Sequence, residues 1–447
     1  MRWNKWFRRT AVMLGLAVTI TAGCGTGDSG MVTVPAKEQT AEHNTADRAE
    51  KAAGDAGKNA QNGGENAESA GKDDGSGKDE RAWDETAVPE IPGLVFQRET
   101  ERKYARGFRI LYYQDTAGNG YTSLLIRNGV DVFLIPEGGK KPETLSAGTI
   151  VLEKPVDKIY LAATASMSLF DRLDALDRIA FSGTRADGWY VENAKTAMED
   201  GDILFAGKYS APDFEKLLAD GCRLAVESTM ILHVPEIGEK LENIGIPVFL
   251  DRSSYEDHPL GRTEWIKVYG ALLGKEPEAE TFFDTQTDLV KNLDGKDLDG
   301  KDLAGKMVGI FSINSLGEAV VRNSEDYLAE MIRLAGGTYA FDDLKNPNPE
   351  NHMGSLHLSM EEFYAEAKDA DYLIYNAAIE DAPASLRELT DRNPLLADFK
   401  AVKEGRVYCA DGYFYQATDQ IARFIKDVNT ILSGGDESGM LFLEKLS

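Results

Sequence analysis

The side chains best suited to holding a ligand stand just after, or close to, short apolar runs. In the first half these are Thr184, Arg185, Trp189 and Tyr190, then Lys208 and Tyr209, then Ser228, Thr229, Met230 and His233, and finally Arg252, Tyr255 and His258. The second half offers Asn314, Asn376 and the run Tyr413, Phe414, Tyr415 and Gln416. Aromatic faces stack on flat unsaturated groups, and Arg or Lys pairs with anionic oxygens. In parallel sheets the crevice lies beyond the carboxyl ends of the strands, so loops that follow strands are the places to search. Each residue also has an ordinary use: Trp189 and the Tyr413 to Tyr415 run as packing, Arg185 and Arg252 as surface ion pairs. The signal is the group.

His233 and His258, or His352 and His357, could contribute to a tetrahedral zinc site, and one of them with Met230 or Met353 could ligate haem iron. Neither pair has tight ligand spacing, so no metal ligand is assigned. No glycine-rich phosphate loop joins a strand to a helix, and no Gly-x-Ser-x-Gly elbow is present. Carboxylate pairs carry no information in a chain with 75 Asp and Glu. The chain is therefore not expected to be an enzyme or to need a cofactor.

These loops need a scaffold, and its pattern changes along the chain. Residues 107–113 (GFRILYY), 121–126 (YTSLLI) and 130–135 (VDVFLI), separated by Gly and Asn, read as an antiparallel β meander over 92–154. From Lys158 strands alternate with helices: 159–163 (IYLAA), 223–227 (RLAVE) and 247–250 (PVFL), then 307–312 (MVGIFS), 372–375 (YLIY) and 406–409 (RVYC). That alternation signals an α/β fold with mainly parallel sheets. The series repeats, because 210–215 (SAPDFE) and 359–363 (SMEEF) each open a helix that leads into a strand. Two similar lobes are expected, at 155–259 and 306–433. The segment 260–305 between them holds connector helices, the second opening near Pro277 and about 25 Å long, followed by a Lys-Asp-Leu repeat read as a surface loop. Residues 434–447 read as a tail.

At the amino end, Arg2, Lys5, Arg8 and Arg9 precede an apolar run from Ala11 to Ile20, too short to span a bilayer, that closes on Thr21, Ala22, Gly23 and Cys24. This resembles a lipoprotein signal, cleaved so that Cys24 carries lipid. Residues 24–91, nearly free of large apolar groups, read as a disordered tether reaching about 45 Å. A net charge of −26 argues against nucleic acid as partner. With Cys24 spent on lipid, Cys222 and Cys409 fall in different halves and no disulfide framework is expected.

The lipobox, the two lobes and the strings SSYEDHPLGRTEWIKVYGALLGKEPEAETFF and LSMEEFYAEAKDADYLIY together resemble the class III substrate-binding proteins of iron-siderophore, haem and cobalamin ABC importers, over about residues 155–433. The resemblance implies a monomer with a ligand cleft between lobes, little hinge motion, and docking of the lobe tips on a permease. It implies a metal chelate as ligand: an iron-siderophore complex first, because Arg, Lys and Tyr dominate the cleft candidates, or a haem or corrinoid. By local match the permease-facing carboxylates are Glu215 and Glu361. The ordinary role of acids in a first helical turn is dipole compensation; Ser359 and Glu362 can form a capping box, which leaves Glu361 free. An adhesion or signalling lipoprotein is the alternative of another class.

Overall fold

The computed structural model describes residues 83–293, 295–346, 354–377 and 381–447. The expected export signal, Cys24 and residues 25–82 of the expected tether lie outside them, as do His352 and Met353.

The first sheet is built from β1 (Val95–Glu99), β2 (Phe108–Gln114), β3 (Gly120–Ile126), β4 (Val132–Ile135) and β5 (Ile150–Glu153), in that order. Alternation sorts its side chains: Phe108, Ile110, Leu124, Val132 and Leu134 face the first-lobe core, while Leu111, Tyr113, Tyr121 and Phe133 close a small cluster with Ile91. The meander reading needs one correction. β5 runs parallel to β4, because residues 136–149 cross back before pairing.

Two buried carboxylates fasten this sheet to the rest. Glu264, at the end of the helix Pro259–Glu264, accepts the N–H groups of Lys103, Tyr104 and Ala105 at 2.8, 2.7 and 2.8 Å. Glu256 accepts those of Arg106 and Gly107 at 2.7 and 2.8 Å, and the indole N–H of Trp265 at 2.8 Å. Lys267 neutralises Glu264 at 2.8 Å and also donates to the Glu101 carbonyl. Five consecutive amides thus find carboxylate acceptors.

The first-lobe sheet is wholly parallel, in the order β12 (Val248–Asp251), β11 (Leu224–Ser228), β6 (Ile159–Leu161), β7 (Ile179–Ser182) and β8 (Leu204–Phe205). A hairpin of β9 (Gly207–Lys208) and β10 (Ala211–Pro212) follows β8. The second-lobe sheet has a parallel centre and antiparallel edges. β13 (Met307–Ile313), β17 (Tyr372–Asn376) and β18 (Val407–Ala410) run parallel, and β15 (Thr338–Tyr339) joins β13. β14 (Ala319–Arg322), β16 (Ser355–Leu358) and β19 (Leu443–Lys445) are antiparallel to their neighbours. The segment read as a tail therefore closes one sheet edge, burying Phe442 and Leu443.

Between the lobes the helix Ile266–Leu273 ends on Gly274, whose left-handed φ of 69° suits glycine. The helix Glu276–Lys291 then folds back so closely that a Cβ on Gly270 would meet Ala279 Cβ at 2.7 Å. Val290 packs against both large cores, as does the carboxyl-terminal helix Ile421–Ser433 through Ala422 on one side and Phe424 on the other. The Lys-Asp-Leu loop is exposed at Leu298 but plugs the second lobe with Leu303.

Candidate ligand cleft

The carboxyl ends of β7, β11 and β12 and of β13, β17 and β18 carry the loops singled out above. Arg185 is exposed and stacks on Phe205, 4.3 Å from the ring centroid. Arg252 lies over Tyr255 at 4.7 Å; burial holds its pKa below the usual guanidinium value. Lys208 projects from the β9–β10 hairpin, with Tyr209 half-buried beside it. Thr229 and Met230 are half-buried in a turn that Ser228 caps by accepting the Met230 N–H at 3.4 Å. In the second lobe Asn376 is half-buried at the end of β17, Tyr413 stacks on Phe442 at 5.5 Å, and Tyr415 is exposed.

Several candidates serve the fold. Trp189 is 3% exposed, and its indole N–H donates to Ser182 Oγ at 3.2 Å, so its ring belongs to the first-lobe core. His258 accepts the Leu260 N–H at the start of its helix and stacks on Tyr104 at 4.2 Å; burial lowers its pKa. Asn314 holds its own turn by accepting the N–H groups of Leu316 and Glu318, and its amide approaches His357 at 3.3 Å. His233 is exposed. Among the described residues no three His, Cys, Asp or Glu side chains converge as a metal site. Cys222 and Cys409 are both buried and free.

Other candidates reach across. The Tyr190 N–H donates to Gln416 Oε1 at 2.8 Å, and Gln416 Nε2 donates to the Gly188 carbonyl at 2.8 Å. The Tyr190 ring lies so close to Gly412 that a Cβ there would fall 2.5 Å from the phenol oxygen. Deeper in, Arg172 pairs with buried Asp419 at 2.8 Å, Thr263 donates to the Thr418 carbonyl at 2.8 Å, and Arg262 covers Tyr327 at 3.4 Å. Sequence reasoning missed Arg262 and Arg322. Neither follows a predicted strand directly, and only the folded chain brings them beside the candidates.

Glu215 and Glu361 are exposed in the first turns of the helices Phe214–Ala219 and Met360–Ala367. Both bonds of the Ser359–Glu362 capping box are formed, and they lower the Glu362 pKa.

Residues 169–413 match the sequence profile of the family described as periplasmic binding protein. This chain belongs to that family. Its fold is of the class III type. An uncharacterised lipoprotein of Methanocaldococcus jannaschii is 26% identical over 362 residues, covering 74% of this binding protein and 81% of the relative. A second lipoprotein from the same organism is 25% identical over 345 residues, covering 75% and 84%. Among solved structures, a periplasmic haem-binding protein from Pseudomonas aeruginosa superposes with a TM-score of 0.50 at 16% identity, covering 65% of this chain and 98% of its own. A possible iron-binding periplasmic protein from Staphylococcus epidermidis gives 0.49 at 16% identity, covering 62% and 99%. The family match begins at residue 169, after the amino-terminal sheet β1 to β5, and takes in the clamp carboxylates Glu256 and Glu264. Among the described residues no helix is long and apolar enough to cross a membrane.

Proposed function

We propose that this protein is the lipid-anchored, extracytoplasmic receptor of an ABC importer, holding an iron chelate between its lobes and presenting it to the permease. The observation that supports the reading is the contact of Tyr190 and Gly188 with Gln416 and Gly412, which joins two sets of loops at the carboxyl ends of two sheets, the first aromatic and cationic and the second aromatic. Arg185, Arg252, Tyr255, Tyr190 and Tyr209 with Lys208, Thr229 and Met230 supply one wall, and Asn376, Tyr413 and Tyr415 the other. Trp189 supports that wall from behind. Flat or catecholate ligands suit the phenols, and anionic oxygens suit the cations. Glu215 and Glu361 face solvent in the free protein and meet permease cations on docking, while lipid on Cys24 and the tether keep the receptor near the membrane.

The test is a tryptophan-quenching screen of the soluble folded part against ferric siderophores, haem, cobalamin and free divalent metals. Submicromolar binding of a ferric chelate supports the reading. Tight binding of zinc alone, with no chelate bound, contradicts it.

A further inference from the structure

Besides the candidates above, the second lobe carries a cluster that they do not include. β14 pairs with β13 so that Ser312 stands opposite Val320, and with β16 so that Arg322 stands opposite Ser355. Directly opposed residues share a face and alternate residues return to it. Arg322, Ser312 and Ser355 therefore project to the same side, joined by Asn376 from β17. Together they line a recess of about 30 Å³ beside Leu328. All four polar residues are half-buried.

Three of them are unspent. Among the described residues, the Arg322 guanidinium has no hydrogen bond, ion pair or ring contact, and the hydroxyls of Ser312 and Ser355 have no partner. The Arg322 backbone, by contrast, is pinned on both sides by the Tyr339 hydroxyl, at 3.3 Å to its N–H and 2.9 Å to its carbonyl. Asp326 is the nearest carboxylate to consider. Its Oδ1 caps the helix Tyr327–Leu334 through the Leu328 N–H at 2.9 Å, and its Oδ2 lies against Gly354, where a Cβ would sit 2.1 Å from it and 3.2 Å from Arg322. Burial opposes the Arg322 charge, but Asp326 and the phenols of Tyr327, Tyr415 and Tyr339 outweigh it, so the group stays a cation.

We propose that this recess is the second-lobe subsite for a carboxylate group of the ligand, a deepening that rests on the cleft reading above. An ionised carboxylate has two oxygens and about four lone-pair positions. The guanidinium fork fills two of them, and Ser312 and Ser355 one each. The recess holds about 30 Å³, room for a small planar group and not for a chelate as a whole. The ligand body then lies outside it toward Tyr415, with Asn376 at the rim. The same chemistry could come from a free small carboxylate bound beside the ligand.

Two arms test this. In the first, acetate is titrated into the uniformly ¹⁵N-labelled folded protein while arginine Nε–H signals are followed by NMR, the Arg322 signal being the one that Arg322→Gln removes. A saturable millimolar shift of that signal, together with acetate protection against heat that is absent in Arg322→Gln, supports the subsite. An Arg322 signal unmoved by acetate, or equal protection of both proteins, overturns it. In the second arm, haem and haem dimethyl ester are the probes. Haem should bind wild type roughly 10- to 100-fold more tightly than Arg322→Gln, and Arg322→Lys should fall between, as expected for loss of charge-assisted bonds. The ester should bind both proteins alike. Acetate that competes with haem identifies the ligand's own carboxylate as occupant; acetate that strengthens haem binding identifies a free one. If neither haem nor its ester binds but acetate does, the choice of chelate fails and the subsite stands. If haem binds wild type and Arg322→Gln equally and acetate moves nothing, the subsite fails and the cleft reading stands. Where Arg322→Gln folds poorly, Ser312→Ala with Ser355→Ala replaces it, with the same outcomes.

Discussion

Glu227 sits on β11 with 0% exposure, and neither carboxylate oxygen has a hydrogen-bond partner among the described residues. Tyr160 is the ionisable group it influences, and that hydroxyl donates instead to the Gly207 carbonyl. Burial alone pushes the Glu227 pKa well above its usual value, so the native protein keeps it protonated. The native state then binds one more proton than the unfolded chain between the unfolded value, about 4.3, and the raised folded value, and stability falls as pH rises through that window. Glu227→Gln should be little changed near pH 4 and increasingly more stable than wild type toward pH 8, the difference growing by at most about 1.4 kcal/mol per pH unit. Urea denaturation at several pH values measures it, and a pH-independent difference would refute the protonated assignment. Glu264 is the opposite case, buried but fully used. Its replacement by Ala strips acceptors from three amides and removes the countercharge of Lys267, at a cost of about 3 to 5 kcal/mol. Denaturant midpoints and proteolysis at residues 101–107 should both report that loss; a cost below about 1 kcal/mol would refute the clamp. None of these roles was legible in the sequence, where Glu227, Glu256 and Glu264 are three acids among 75. What separates them is burial, which for Glu256 and Glu264 depends on contacts about 150 to 160 positions away.

Elements were more readable, because their signals are local. Period-2 runs placed β2, β3 and β4, the Ser359–Glu362 spacing announced its capping box, and Gly274 with Pro277 marked where one connector helix ends and the next begins. The parallel return of β5 and the edge strand β19 escaped, since pairing direction is settled by distant partners rather than by periodicity. The contact between the Tyr190 turn and the turn Gly412–Gln416 escaped for the same reason, although the sequence had marked its residues as ligand contacts. Gln416→Ala removes both hydrogen bonds of this contact at once. The Tyr190 amide should then exchange with solvent roughly tenfold faster or more, equivalent to about 1.4 kcal/mol. Gly412→Ala places a methyl inside the Tyr190 ring and should have at least the same effect, costing about 1 to 3 kcal/mol through overpacking. Unchanged Tyr190 exchange in both variants would show that the lobes do not lean on this contact.

For the whole molecule, the two lobe cores are bridged by the second connector helix through Val290 and by the carboxyl-terminal helix through Ala422 and Phe424. If Glu215 and Glu361 are the docking carboxylates, Glu215→Ala with Glu361→Ala should bind ligand normally and fail to stimulate importer ATPase, each single change being intermediate. Loss of ligand affinity or early melting in the double variant would return both residues to helix-start duties. The central claim is that one ligand touches both lobes at once. Hydrogen–deuterium exchange with and without the saturating chelate tests it most directly. Protection should appear together in loops 183–190, 228–230 and 252–255 of the first lobe and in 314–318 and 411–416 of the second, with the sheet β1 to β5 unchanged. Protection confined to one lobe, or centred on the amino-terminal sheet, would contradict the account.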